Sequence, residues 1–277
     1  MAASRVSELY RTAFVTGAST GLGQAFTEML LAEGVRVWGT SRDALRLATL
    51  TQRFSHAFTP VILDLREGAA AEATFRECDA SAKFDLVINN AGYGVFGSFA
   101  GTDFSHWQEQ MEVMLVNTAR LSHAAMGEML GKDYGALVNI SSLAAEFPLP
   151  FQSAYNVAKA GLTALSESLM IEAAGTGVVV LDVRPGDYRT DFETSVRRPH
   201  HEPLARLSRA WSAFEAMMRT GPRPTHAAEA LRRALLTRKS GTVRTGRFFQ
   251  AILGPFLARF GSLPLRRRVQ ARYYDVS

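Results

Sequence analysis

Short aliphatic and β-branched runs alternate along the chain with longer segments whose apolar residues recur at helical spacing. The runs are TAFVT from Thr12, VRVWGT from Val35, PVILDL from Pro60, FDLVINN from Phe84, ALVNIS from Ala136 and VVVLDV from Val178. Between them lie GQAFTEMLLAEG, DALRLATLTQRF, GAAAEATFREC, FSHWQEQMEVML and, before the last run, AYNVAKAGLTALSESLMIEAA. Apolar runs without polar alternation read as strands buried on both faces, which is how parallel strands joined by helical crossovers are packed. The pattern therefore predicts an α/β fold, a doubly wound parallel sheet with helices on both faces.

Residues 187–225 break this rhythm. Prolines at 199, 203, 222 and 224 flank a segment whose Leu204, Leu207, Trp211, Phe214 and Met218 recur every three or four residues, an amphipathic helix inserted after a strand. That stripe is expected either to pack on the body or to form a lid over a ligand site. The whole chain, 1–277, reads as one domain carrying this insertion and a basic amphipathic extension at about 247–277.

Composition adds three constraints. Cys78 is the only cysteine, which excludes an intrachain disulfide and a thiolate zinc cluster and favours a reducing compartment. The N-terminus reaches its first strand at Thr12 without the apolar stretch of a secretory signal, and no run is long enough to span a bilayer, so a cytoplasmic protein is expected. The net charge of +5 is uneven: Leu231–Ser277 carries eleven Lys and Arg against Asp275, a net +10, leaving −5 for the remainder. The tail interleaves arginines with aromatic and aliphatic residues. It is expected to pack over the substrate mouth or a subunit contact, with weak association to an anionic membrane surface as the alternative. Nucleic acid is not expected, because no recognition motif accompanies the charge. The six histidines lack metal-ligand spacing and adjacent His200 and His201 read as solvated loop residues, so no metal is expected.

The candidate chemistry begins at TGASTGLG, residues 16–23, between the first strand and the first helix. Gly17 suits a tight turn, Gly21 a close ligand approach and Gly23 close helix–strand packing, while the helix N-terminus offers N–H groups and partial positive charge to a pyrophosphate. A dinucleotide is the natural occupant. After the second strand come Ser41 and Arg42, where binders of NAD usually place an acid; a hydroxyl and a guanidinium favour NADP(H), with NAD(H) left open by the adjacent Asp43. Asp43 also reads as a helix cap, as does Ser41. Further along, Tyr155 and Lys159 stand four residues apart and share one helical face.

Together these motifs resemble the short-chain dehydrogenase/reductase family over about residues 10–195. The resemblance rests on TGASTGLG, NNAG at 89–92, Asn117 in LVNT, NISS at 139–142, YNVAK at 155–159 and RPGDYRT at 184–190, all in family order. It implies a Rossmann-type sheet of seven strands or so, an NAD(P)-dependent oxidoreductase acting on a carbonyl or alcohol, and a homodimer or homotetramer. An NAD-dependent dehydrogenase of a lipid-type alcohol is one alternative; a non-catalytic NADP(H)-binding regulator is the other, although its expected sign, loss of the tyrosine or lysine, is absent here.

The resemblance also assigns residues. Tyr155 would be the proton donor, helped toward ionisation by the Lys159 cation. Ser142 would bond the substrate oxygen, with Ser141 the neighbouring alternative, and Asn117 would hold a water linking Lys159 to solvent. Ser19, Thr20 and Leu22 of the glycine turn, Asp64, Asn90, Ala91, Gly92, Pro185, Gly186, Tyr188 and Thr190 would border the cofactor, and Lys159 would grip its ribose. Tyr188 replaces a smaller aliphatic residue, so its ring is expected to narrow the substrate space. Substrate-pocket candidates are Tyr93, Val95, Phe96, Leu143, Phe147, Leu149, Phe151, Phe192 and the stripe with Trp211. Their apolar character points to a bulky, lipophilic ketone, aldehyde or secondary alcohol.

Overall fold

In this computed structural model of the full chain, residues 4–190, 192–198, 205–258 and 260–276 are described. Leu204 and the His200–His201 pair lie outside them. Seven strands, β1 (Thr12–Val15), β2 (Arg36–Ser41), β3 (Phe58–Ile62), β4 (Leu86–Asn89), β5 (Gly135–Ile140), β6 (Val178–Pro185) and β7 (Gly241–Thr245), form one parallel sheet in the order β3-β2-β1-β4-β5-β6-β7. The order reverses direction between β1 and β4, the kind of switch point where such sheets open a crevice at the strands' carboxyl ends.

The central strands β1, β4, β5 and β6 are buried along their whole length, as their unbroken apolar runs require. β3 starts and ends earlier than its sequence run, leaving Leu63–Leu65 in the connection, and it tolerates Pro60 because it is an edge strand. β7 occupies the other edge.

Helices α1 (Gly21–Ala32), α2 (Ala48–Arg53), α3 (Gly68–Ala82), α4 (Phe104–Met111), α5 (Asn117–Gly131) and α6 (Ser153–Glu172) follow in crossover positions. A π turn, Glu112–Val116, joins α4 to α5. The insertion forms α7 (Phe192–Ser195) and α8 (Ala205–Thr220), and α9 (Pro224–Thr237) returns the chain to β7. The extension closes with α10 (Gly254–Ala258) and α11 (Leu263–Tyr273).

Two apolar cores result, one on each face of the sheet. Phe26, Leu30, Val37, Leu86 and Leu231 pack on one, and Phe14, Phe75, Phe84, Leu121 and Leu137 on the other. A third, smaller cluster lies beside them and joins Phe96 and Val196 to Ala210, Phe214 and Met218 of α8.

Candidate active site

A cavity of about 1040 Å³ runs along the carboxyl ends of the strands. At one end is the glycine turn. Gly17 has φ +67°, and a Cβ on Gly23 would lie 2.0 Å from the Gly17 carbonyl oxygen and 2.3 Å from Asn90 Nδ2, so only glycine permits α1 to start this close to β1. Thr20 caps α1 without a side-chain hydrogen bond, which leaves the first N–H groups of the helix for a ligand. Ser19, Thr20, Gly21, Leu22 and Gly23 all line the cavity here.

The NNAG loop is fastened to this turn. Thr16 Oγ1 accepts from the backbone N–H groups of Asn90 and Ala91 at 2.9 and 3.0 Å, and Asn90 Nδ2 donates to the carbonyls of Thr16 and Gly17 at 3.0 and 3.2 Å. Asn90, Ala91 and Gly92 therefore line the cavity while bracing its phosphate end.

Beyond β2 the lining is cationic. Arg42 and Arg46 are exposed at the rim, and Ser41 is buried with its Oγ accepting from the Asp43 N–H at 3.2 Å. Asp43 points elsewhere, capping the next turn by accepting from Leu45 N at 2.9 Å. Asp64 lines the cavity but is held by Arg66, whose Nε and Nη2 donate to one carboxylate oxygen while its backbone N–H donates to the other. Burial works to raise the Asp64 pKa, yet the Arg66 bonds keep it below the usual carboxylate value. Arg46, Leu65 and Arg66 were not singled out by sequence; no local motif marks them, since Arg46 is placed by the turn after β2 and Leu65 and Arg66 by the connection after β3.

The opposite wall carries Ser142, Tyr155 and Lys159. The end of β5 presents Ser142, whose Oγ accepts from Ala144 N at 3.0 Å and donates to the Pro185 carbonyl at 3.4 Å. Ser141 is turned away and donates to Asp182 of β6. From α6, Lys159 Nζ donates to the Ile140 carbonyl at 2.7 Å and lies 5.7 Å from the centroid of the Tyr155 ring. Burial pulls the Lys159 pKa down to about 8, against the Asp182 carboxylate, which works to raise it. Burial also raises the Tyr155 pKa, opposed by the nearby Ser142 hydroxyl and reinforced by the charge of Asp187. This reverses the sequence-based expectation of a phenol made more acidic by its neighbour: desolvation disfavours both charged forms, and the lysine is itself drawn toward neutrality.

Several expected positions need correction. Asn117 does not line the cavity; its side-chain amide donates to the Leu65 carbonyl at 2.7 Å and its Oδ1 occupies the space against Gly68. Tyr188 borders the cavity through its backbone, but its ring is buried in the core beneath α9, with the hydroxyl hydrogen-bonded to Thr245 Oγ1 at 2.6 Å and His226 Nδ1 at 2.8 Å. It does not narrow the substrate space. Phe96, Phe151 and Trp211 form an aromatic group, with ring centroids 5.8 Å apart for Phe96–Phe151 and 5.0 Å for Phe96–Trp211, and lie outside the lining. Val95 lies outside it as well.

Tyr93, Leu143, Phe147, Leu149 and Phe192 do line the cavity, as do Phe214 and Met218 of the stripe and Pro185, Gly186 and Thr190 after β6. The extension completes the wall: Phe249, Phe260, Leu265 and Val269 reach it, so this segment packs over the mouth. It is anchored at Asp187, which accepts from Gln250 Nε2, and the same amide donates to the Tyr273 hydroxyl oxygen at 2.8 Å. Burial pushes the Asp187 carboxyl up, while the Gln250 bond, the charge of Arg247 and the nearby Tyr273 hydroxyl pull it down. Asp187, Gln250 and Tyr273 were missed because their meeting spans most of the C-terminal third of the chain.

A glycine cradle at a helix N-terminus, cationic side chains beyond it and a tyrosine–lysine–serine group at the far wall fit an extended dinucleotide with its reactive ring beside Tyr155. A family model described as short chain dehydrogenase matches residues 11–201. An uncharacterized oxidoreductase of Myxococcus xanthus is 32% identical over 212 residues, covering 75% of this chain and 82% of that protein. A short-chain dehydrogenase from Streptomyces avermitilis shares 28% identity with a TM-score of 0.82 over 97% of this chain and 98% of its own. A metagenomic short-chain oxidoreductase, solved in complex with NADP, shares 27% identity with a TM-score of 0.66, over 83% and 91% of the two chains. The chain accordingly belongs to the short-chain dehydrogenase/reductase family and is an NAD(P)-dependent oxidoreductase.

Proposed function

We propose that this enzyme interconverts a bulky, lipophilic carbonyl compound and its alcohol with NADP(H) as the redox partner. The observation that carries this reading is the convergence of Ser142, Tyr155 and Lys159 on one wall of a cavity whose other end is the glycine turn. When bound, the nicotinamide supplies or accepts a hydride at the carbonyl carbon.

Tyr155 donates its hydroxyl proton to the substrate oxygen as negative charge develops there, and recovers it in the reverse direction. Its raised pKa keeps it protonated before transfer. Ser142 Oγ accepts from Ala144 N–H at 3.0 Å and donates to the Pro185 carbonyl over a long 3.4 Å, a bond its O–H gives up when it turns toward the same oxygen. Lys159 holds the cofactor ribose, and its ammonium stabilises the phenolate left after transfer.

Preference for NADP(H) is supported by Arg42 and Arg46 at the rim, by Asp43 being occupied as a cap and by Asp64 being neutralised by Arg66. The metagenomic relative solved with NADP agrees with it. The lipophilic substrate is supported by the apolar side chains around the wall, among them Leu143, Phe147, Phe192, Phe214 and Phe260. Exposed Val157 and Ile171 on α6 and Leu130 on α5 support a homo-oligomer of two or four chains, which mass measurement in solution checks.

The test is a panel of carbonyl compounds followed by NADPH absorbance, with Tyr155→Phe as the control. Lipophilic ketones and aldehydes are expected to turn over. Turnover restricted to small charged carbonyls overturns the substrate assignment.

A further inference from the structure

The extension that roofs the cavity leaves a large apolar surface in water. Ile252, Phe256, Phe260, Leu263, Leu265 and Val269 are 58%, 59%, 77%, 54%, 55% and 53% exposed. Single exposed apolar residues are ordinary; a contiguous run at the mouth of a cavity is a contact site without its partner.

The charge around this run identifies the partner. No Asp or Glu occurs between Glu229 and Asp275, and the interval holds eleven Lys and Arg. Some are already engaged: Arg232 with Glu33, Arg244 with Glu146, and Arg238 over the Tyr134 ring. Arg267, Arg268 and Arg272 are exposed and enter no ion pair among the described residues.

The two kinds of residue share one face. On α11, Arg266 and Gln270 turn inward and donate to the carbonyls of Glu146 and Pro148 at 3.3 and 3.4 Å. Positions 265, 268, 269 and 272 recur at i, i+3, i+4 and i+7 on the other side, so Leu265 and Val269 stand beside Arg268 and Arg272. A second copy meeting this face would set arginine against arginine. A nucleic acid would match the guanidinium groups and leave the phenylalanines and leucines in water. A bilayer interface of anionic lipid satisfies both: apolar side chains enter the acyl boundary and arginines reach the phosphates.

We infer that the exposed apolar and arginine side chains of 248–272, among the described residues, form a docking face for an anionic phospholipid membrane. Phe260, Leu265 and Val269 both belong to the exposed run and line the cavity, so docking seats the mouth on the lipid. A lipophilic substrate would then pass between bilayer and cavity without crossing water. That last step rests on the proposed chemistry; the docking itself does not.

The experiment is flotation of the full chain with vesicles of phosphatidylcholine alone and of phosphatidylcholine mixed with phosphatidylglycerol. The protein is expected to float with the anionic vesicles only and to be released by high salt. Arg268→Glu with Arg272→Glu is expected to lower the bound fraction roughly tenfold or more, because each arginine near an anionic surface contributes substantially to partition. Ile252→Ser with Phe256→Ser is expected to weaken binding while keeping its salt dependence. Melting temperature and solution mass are measured for each variant, so that unfolding and loss of self-association are recognised. Absence of flotation with anionic vesicles, equal flotation of the charge-reversed variant, or self-association lost in Ile252→Ser/Phe256→Ser without any vesicle binding overturns the proposal. Since flotation is independent of turnover, such failure leaves the redox reading intact.

Discussion

Lys159 Nζ sits 5.7 Å from the centroid of the Tyr155 ring and is hydrogen-bonded at 2.7 Å to the Ile140 carbonyl. The pair shares one wall but not one bond, and burial drives each toward its neutral form. Charge at this wall is therefore costly before ligands arrive, which is the condition for a site whose electrostatics change on binding.

Tyr155→Phe removes the proposed proton donor and keeps the ring contact with Phe192, whose centroid lies 6.0 Å away. Turnover is expected to fall by about 10²–10⁴-fold. Cofactor affinity, followed by fluorescence titration, is expected to stay unchanged.

Lys159→Met trades activity for stability. With its pKa at about 8 in the fold and 10.5 ordinarily, the unfolded chain binds this proton more tightly, so stability rises with pH between those values. At neutral pH the folded protein carries the cost of the buried charge, about 2–4 kcal/mol, which methionine removes. A higher melting temperature at pH 7, a flatter pH profile above 8 and no turnover are expected, read by thermal denaturation and assay.

Arg42→Ala tests the cofactor reading. Loss of charge-assisted bonds worth roughly 1.5–3 kcal/mol is expected to weaken NADPH binding by about 10- to 100-fold and to leave NADH binding unaltered. Calorimetric titration with both nucleotides checks it. A preference of the unaltered enzyme for NADH contradicts the role given to Arg42.

Gly23→Ala places a methyl group on the Gly17 carbonyl and the Asn90 amide, neither of which is free to yield. A stability loss of about 1–3 kcal/mol and loss of binding of either nucleotide are expected, measured by denaturant melts and titration.

Tyr188→Phe breaks the bonds to Thr245 and His226 without touching the cavity. A loss of about 1–2 kcal/mol is expected in denaturant melts, with KM for lipophilic substrates unchanged. A marked change in KM would place the ring in the substrate space after all.

The six apolar runs, the glycine turn and the Ser142–Tyr155–Lys159 group were legible because each is a local pattern whose meaning survives folding. β7 was not, since GTVRT alternates exposed and part-buried positions at a sheet edge and carries no continuous apolar run. Apolar identity could not separate the cavity from the small core beside it: Phe192 and Phe214 face the cavity while Phe96 and Trp211 face each other. For Tyr188 and Asn117 the spacing placed the backbone, but the side-chain direction depends on long-range partners, Thr245 for one and Leu65 for the other. The direction of the Tyr155 shift was likewise hidden, because it depends on how much water the fold removes.

Asp187 owes its weakened acidity to burial, while Gln250 of the C-terminal extension bonds directly to its carboxyl and links it to the Tyr273 hydroxyl. Its charge in turn acts on Tyr155. The last thirty or so residues, remote in sequence from every motif of the family, thus help to set the proton affinity of the Tyr155 phenol. Clipping them would alter the strength of an acid as well as unroof a pocket.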